Sequence, residues 1–308
     1  MTEETEKCRF TIRPSCRDVR ISKRPGPILG SMSGNICLMV ILSALSVRQP
    51  VISSAARLNR SIRSIRQLFP PAVGSTSGAR RGFLRRISER AKNVHAGETV
   101  QSFDAKKKYV RLASGREEPY DFLVSTLPLP TLYRMLNDTP DSLVADAQRL
   151  HAISVLNINI GIDRPNINDQ HWIYFPENQF VFSRIGFPMN FSKSVAPEGT
   201  SSMYIEITHQ PKERLHVDEM FERAIVDLEN CGILKKGDRI LTRHVLDIYF
   251  AYVVFDEHRQ AHLQNLIDYL ESRSIFTAGR YGRWDYFSME DSILSGKAAA
   301  DRITQGKL

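Results

Sequence analysis

The sequence predicts an α/β protein in which one strand-and-helix domain is interrupted by a second domain built on a mixed sheet. Three observations predict it. Short apolar runs of strand length alternate with helical patterns in the first half. The middle, from about residue 151 to 255, is dense in strand patterns. The last 35 residues run from a short strand through a glycine turn into a capped helix. A chain of 308 residues, 42% hydrophobic and 25% charged, has enough material for one or two cored domains and reads as globular.

Residues 1–68 differ from the rest. Ile36 to Val47 is the one strongly apolar stretch there. It reads as a buried helix or strand, with a membrane-surface anchor flanked by basic residues as the alternative. Arg60, Arg63 and Arg66 then fall three apart, the spacing of a solvated helix face. Ala79 to Lys92 fits a helix with Phe83, Leu84 and Ile87 on one side. Val100–Phe103 and Tyr109–Leu112 read as strands of a hairpin closed by residues 104–108. Asp121 to Leu127 is a buried strand that opens into a loop at Pro128. Strands follow at Ser154–Ile162, Trp172–Phe175, Phe180–Ile185 and Ser202–Thr208, with Pro188 and Pro197 marking loops. A helix is predicted over Val217–Glu229, a strand over Arg239–Tyr249 and a helix over His258–Leu270. Ser274–Ala278 is a short strand. Met289–Ile303 is the final helix, capped by Ser288 or Asp291.

Charge is unevenly placed. Residues 1–66 hold 12 Lys/Arg and 4 Asp/Glu, a difference of +8 that equals the net charge of the whole chain. The sequence pI of about 9.4 therefore describes one segment and not a basic domain face, which argues against nucleic acid as a partner. No apolar run reaches the length of a transmembrane helix. Cys8, Cys16, Cys37 and Cys231 form no C-x-x-C pair, so neither a zinc ribbon nor a disulfide framework is expected. A reducing, cytoplasmic setting is the expectation.

Phe276 to Ala300 carries the most chemistry. A strand ends in Gly279, Tyr281, Trp284 and Tyr286 follow, and an acidic helix start precedes small residues at Ser295, Gly296 and Ala298–Ala300. A helix N-terminus offers free N–H groups and a positive dipole end, suited to a phosphate or an electron-rich ring edge. On physics alone the stretch reads equally as a well-packed terminal helix.

The arrangement resembles the C-terminal cofactor motif of the flavin amine oxidase and protoporphyrinogen oxidase superfamily. Glu98-Thr99-Val100 and its hairpin are similar to the family's segment near the adenine, Tyr120 to Leu129 to its strand into the flavin crevice. Phe69 to Ser77 resembles its aromatic–Pro–Gly–Gly–Thr–Gly stretch, with Ser75 and Ser77 where glycines are usual. The resemblance spans about residues 69–305. It implies FAD as cofactor, an incomplete Rossmann-like FAD-binding domain, and cofactor contacts from Val100, Ser125, Thr126, Gly279, Arg280, Met289, Glu290, Asp291 and Ser292. The implied organisation is an atypical segment at 1–68, a partial FAD-binding domain at 69–150, a substrate domain at 151–255 and a return to the FAD-binding domain at 256–308.

Within that superfamily the sequence is most similar to UDP-galactopyranose mutases and the bacterial oxidoreductases that resemble them. HWIYFPE, FVFSR and GRYGRWDY carry the likeness. It implies a substrate set of Tyr174, Arg184, Tyr252, Arg280 and Tyr286 around the diphosphate of a UDP-sugar, chemistry done by reduced flavin without a protein nucleophile, and NADPH as reductant. Met289, Glu290 and Asp291 depart from the usual mutase sequence. No G-x-G-x-x-G follows a strand anywhere; Gly26, Gly30 and Gly34 are spaced by four and lack the second glycine of that fingerprint. The resulting expectation is an FAD-dependent oxidoreductase-superfamily protein, with an N-terminally truncated, non-catalytic remnant that has at most residual nucleotide binding as the alternative.

Overall fold

The computed structural model describes residues 38–41 and 98–304. The helix expected over 79–92 and the Phe69–Ser77 stretch lie outside the described residues. The α/β class holds, with three sheets.

The first sheet has the order β1-β5-β12: Leu38–Ile41, Phe122–Ser125 and Ile275–Thr277. All of its pairings are parallel, and Ser125 lies opposite both Ile41 and Thr277. Leu38–Ile41, within the apolar stretch 36–47, forms a strand, one of the two forms expected for that stretch. Val124, Phe276 and Ala278 pack with Ala299 and Ile303 of the last helix. That helix, α6, runs Met289–Thr304. Ala299 is the small residue at this contact, whereas Ala298 and Ala300 face outward.

The second sheet has the order β4-β3-β2-β6: Glu117–Pro119, Tyr109–Leu112, Val100–Asp104 and Leu136–Asn137. Its hairpin turn is fixed by the Asp104 carboxylate, which accepts the Lys107 N–H at 2.7 Å. Two helices missed by the sequence patterns follow β5: α1, Leu129–Met135, and α2, Asp141–Gln148. Each begins after a proline, at Pro128 and Pro140, and α1 carries Pro130 in its first turn, where no intrahelical N–H is needed. Pro128, read as the opening of a loop, instead begins a helix.

The third sheet has the order β11-β7-β10-β9-β8: Ile240–Val253, Ala152–Ile162, Ser201–His209, Arg184–Gly186 and Trp172–Tyr174. Where the sequence pointed to a mixed sheet, every pairing here is antiparallel. Leu156, Ile158, Ile160 and Ile162 of β7 meet Met203, Ile205 and Ile207 of β10 in one core. Helix α3, Val217–Asn230, closes it with Ala224 and Leu228. The strand expected over Phe180–Ile185 is shorter than predicted. Its first half turns instead, with the Val181 N–H bonded to the Asp227 carboxylate at 2.8 Å and Phe180 and Phe182 clustered on Phe175. Helix α4, Glu257–Glu271, leads back to β12, and a single helical turn, α5, occupies Gly279–Gly282 where a loop was expected.

Candidate active site

Two regions carry the predicted site residues. The first lies at the carboxyl ends of β5 and β12, where open parallel sheets take their ligands. Ser125 ends β5, Thr126 follows it, and Gly279 follows β12 with φ of 75°, a conformation suited to glycine. Its N–H donates to the Ser295 hydroxyl of α6 at 2.8 Å, tying the turn to the helix. Gly282 lies against β5 so closely that a Cβ would meet the Ser125 carbonyl oxygen at 2.8 Å. Ser288 and Asp291 cap α6 reciprocally: Asp291 N–H donates to the Ser288 hydroxyl at 3.2 Å and Ser288 N–H to the Asp291 carboxylate at 2.8 Å. These hydrogen bonds hold the Asp291 carboxyl below its ordinary range. Met289, Glu290, Asp291 and Ser292 form the exposed first turn of this helix. Val100 is separate from that turn: it begins β2 and is buried in the core under the hairpin sheet.

The second region is built across the five-stranded sheet. Register places Tyr174 of β8, Arg184 of β9 and Glu206 of β10 directly opposite one another. The Arg184 Nε and Nη2 groups donate to the two Glu206 carboxylate oxygens at 3.1 and 2.5 Å. Nη2 also donates to the Tyr252 hydroxyl at 2.8 Å, and Nη1 to the Tyr174 hydroxyl at 3.2 Å. Tyr252 in turn donates to Glu206 at 2.9 Å, which closes the ring. The guanidinium also lies over the Tyr174 and Tyr204 rings.

Tyr252 reaches this ring because β11 bulges. Ile248 pairs with Val155, but Tyr252 already pairs with Ile153, so the strand carries two extra residues there. Two carbonyls in the bulge are answered by side chains. The buried Ser154 hydroxyl donates to Tyr249 O at 2.7 Å, and Arg280 Nη2 donates to Ala251 O at 3.0 Å. Arg280 then lies 4.3 Å from the Tyr286 ring centroid and 5.5 Å from that of Tyr252. The two tyrosine rings stack at 6.2 Å.

Electrostatics follow from the packing. Burial alone would lower the Arg184 pKa, but the hydrogen bonds and charge of Glu206 outweigh it and hold the guanidinium above its ordinary value. Burial, reinforced by the Glu206 charge, pushes the Tyr252 phenol well above its ordinary value, so it stays a donor. Burial likewise raises Tyr204 and Tyr281.

All five residues of the predicted substrate set therefore meet, from β8, β9, β11 and the segment after β12. Arg280 joins the two regions. The sequence reading missed Glu206, Tyr204 and Ser154. The alternation in SMYIEIT sets Tyr204 and Glu206 opposite Met203, Ile205 and Ile207, a signal that a carboxylate sits on the polar face of a central strand. Gly186 was missed too. Tyr204 crosses it so closely that a Cβ there would fall 2.1 Å from the ring.

A Rossmann-type crevice beside an antiparallel sheet that carries an arginine–tyrosine set defines a two-part site on a flavoenzyme-like fold. The chain belongs to the family of flavin-containing amine oxidoreductases, whose model matches residues 34–304. That match begins inside the 1–68 segment set apart by its charge. Among solved structures, reduced UDP-galactopyranose mutase is 28% identical, with a TM-score of 0.64 over 68% of this chain and 46% of that one. A protein from Exiguobacterium sp. 255-15 assigned as a protoporphyrinogen oxidase is 14% identical, with a TM-score of 0.54 over 67% of this chain and 46% of that one, and shares the fold. The chain thus spans less than half the length of either structure. Among the described residues no helix is long and apolar enough to cross a membrane.

The family implies FAD, and the first region fits one end of it. The Thr277 hydroxyl and Arg280 Nε are buried without a partner at the carboxyl ends of β5 and β12. Both are donors beside a glycine-permitted backbone turn, the chemistry wanted by the carbonyl edge of a flavin ring or its ribityl hydroxyls.

Proposed function

We propose that this chain binds FAD through the β5/β12 crevice and the diphosphate of a UDP-sugar through the arginine–tyrosine set, in the manner of a UDP-galactopyranose mutase. One observation carries the reading: Tyr174, Arg184, Tyr252, Arg280 and Tyr286, from segments more than 100 residues apart in sequence, converge on one face. The 28% identity to a mutase supports the substrate class. In this reading residues 69–150 and 256–308 form the cofactor half and residues 151–255 the substrate half, in a cytoplasmic protein.

A bound flavin would supply the electron-accepting and electron-donating chemistry, with NADPH as the reductant. The chain's own residues do the rest. Arg280 and the Thr277 hydroxyl donate toward the crevice, and Gly279 and Gly282 let backbone approach it closely. Arg184, held flat by Glu206, presents its Nη1 edge toward a phosphate oxygen that replaces the Tyr174 hydroxyl. Tyr252, too basic to ionise at neutral pH, gives its one phenolic hydrogen to Glu206 and so keeps that carboxylate and the Arg184 guanidinium in place. Tyr174 and Tyr286, both more than half exposed, cover the ligand and exclude water.

A second reading, nucleotide binding without turnover, is favoured by the lack of a G-x-G-x-x-G fingerprint in these 308 residues. One experiment separates the two. Purified chain is mixed with FAD, desalted and scanned in the visible range, then titrated with UDP-galactopyranose. A retained flavin spectrum that the sugar nucleotide perturbs supports the first reading. A colourless protein that still binds UDP supports the second.

A further inference from the structure

A separate cluster joins helices α2 and α4. His258 and His262 are four residues apart on α4, so their rings share one face. Asp146 comes from the last turn of α2. One ring nitrogen of each histidine and one Asp146 carboxylate oxygen all lie within 4.8 Å of one another. His262 Nδ1 is 3.1 Å from Asp146 Oδ2, and the two imidazoles stack with centroids 4.4 Å apart. His258 Nε2 is 2.8 Å from the Asp146 carbonyl oxygen. A carbonyl only accepts, so that nitrogen carries the proton and Nδ1 keeps the lone pair. None of the three residues belongs to the crevice or the arginine–tyrosine set.

We propose that Asp146, His258 and His262 form a binding site for a borderline divalent ion of the Zn(II) class. Two imidazoles and a carboxylate are the donor set that zinc takes, and two histidines at helical i, i+4 spacing are a recurrent way to supply it. Ligand atoms of tetrahedral zinc stand about 3.3 Å apart, given Zn–N and Zn–O bonds of roughly 2.0 Å. The His262–Asp146 pair already stands at 3.1 Å, and a ring nitrogen of His258 lies within 4.8 Å of both ligand atoms. The ion replaces the proton held between His262 and Asp146. The hydrogen bond from His258 to the Asp146 backbone orients that ring from outside the coordination shell. Three protein ligands leave a position for water. Two of the three donors are imidazole nitrogens, so calcium and magnesium, which take oxygen ligands, are disfavoured. The ion's role in the fold is to brace α2 against α4, the helices on either side of the substrate sheet in sequence.

The test is calorimetric titration of the untagged full chain with zinc chloride, followed by thermal unfolding with and without zinc. The expected result is one ion per chain and a midpoint that rises with zinc concentration. Asp146→Asn and His262→Ala each weaken binding at least about tenfold, about 1.4 kcal/mol. His216→Ala, an exposed histidine before α3, leaves binding unchanged. As a check that needs no variant, cobalt(II) added to the native chain gives the intense visible bands of four- or five-coordination, and zinc bleaches them. Failure of the native chain to bind zinc, a pale octahedral cobalt spectrum, or a loss in His216→Ala equal to that in His262→Ala would each overturn the assignment.

Discussion

Replacing Arg184 by methionine isolates the ion pair at the centre of the site. The methionine keeps an apolar stem beside Tyr204 and removes the guanidinium. Glu206 is then left with the Tyr252 hydroxyl as its one remaining side-chain donor among the contacts described above. Its side chain is only 11% exposed, so it cannot turn freely to water. Breaking one side of a buried pair costs about 3–5 kcal/mol. Arg184 is itself 22% exposed, and solvent screening brings the expected loss down to about 2–3 kcal/mol. Glu206→Gln in the same background removes the stranded charge, so the double variant should recover about 1–2 kcal/mol of the loss. The assay is urea unfolding of the native chain, both single variants and the double variant. A double variant that loses the sum of the two single losses, within about 0.5 kcal/mol, would show that the charges are not coupled and refute the reasoning.

Gly282→Ala places a methyl 2.8 Å from the Ser125 carbonyl oxygen, a backbone atom that cannot swing aside; a loss of about 1–3 kcal/mol in unfolding free energy is expected, with weaker flavin retention in the desalting assay. Gly186→Ala forces the Tyr204 ring off β9, and the Arg184 guanidinium loses that ring; weaker UDP binding, read by calorimetry, should accompany any loss of stability. Asp238 accepts Arg164 through both carboxylate oxygens at 2.8 Å, and that hydrogen bonding holds its carboxyl below the ordinary range against the opposing effect of burial. A lowered folded-state pKa stabilises above the unfolded value of about 3.9 and is lost as pH falls through the folded value. Asp238→Asn should therefore be less stable at neutral pH and show a flatter decline in acid, measured by thermal unfolding across pH.

The strands that position the site were legible where one face is apolar. Leu156, Ile158, Ile160 and Ile162 alternate cleanly because β7 buries one face under α3. The five residues that meet across the sheet were picked out only through family motifs, because each alone reads as an ordinary surface arginine or tyrosine. What the sequence hid is long-range. Glu206 becomes the partner of Arg184 only once β9 and β10 are in register, and that pairing joins residues 22 apart. The bulge that brings Tyr252 forward depends on Ser154, a polar residue inside an otherwise apolar strand, whose reason appears only with β11 beside it. Helices α1 and α2 were hidden because their prolines sit at starts, where proline is compatible with a helix, and not within them.

Calorimetric titration of the native chain and of Arg280→Ala with UDP tests the central claim most directly. Arg280 bonds a main-chain carbonyl through one nitrogen and faces Tyr252 and Tyr286, so its removal leaves the Arg184–Glu206 pair in place. A diphosphate held by charge-assisted hydrogen bonds predicts saturable binding that weakens by about ten- to a hundredfold in the variant, about 1.4–3 kcal/mol. Binding of UDP with equal affinity by both proteins, or by neither, would contradict it.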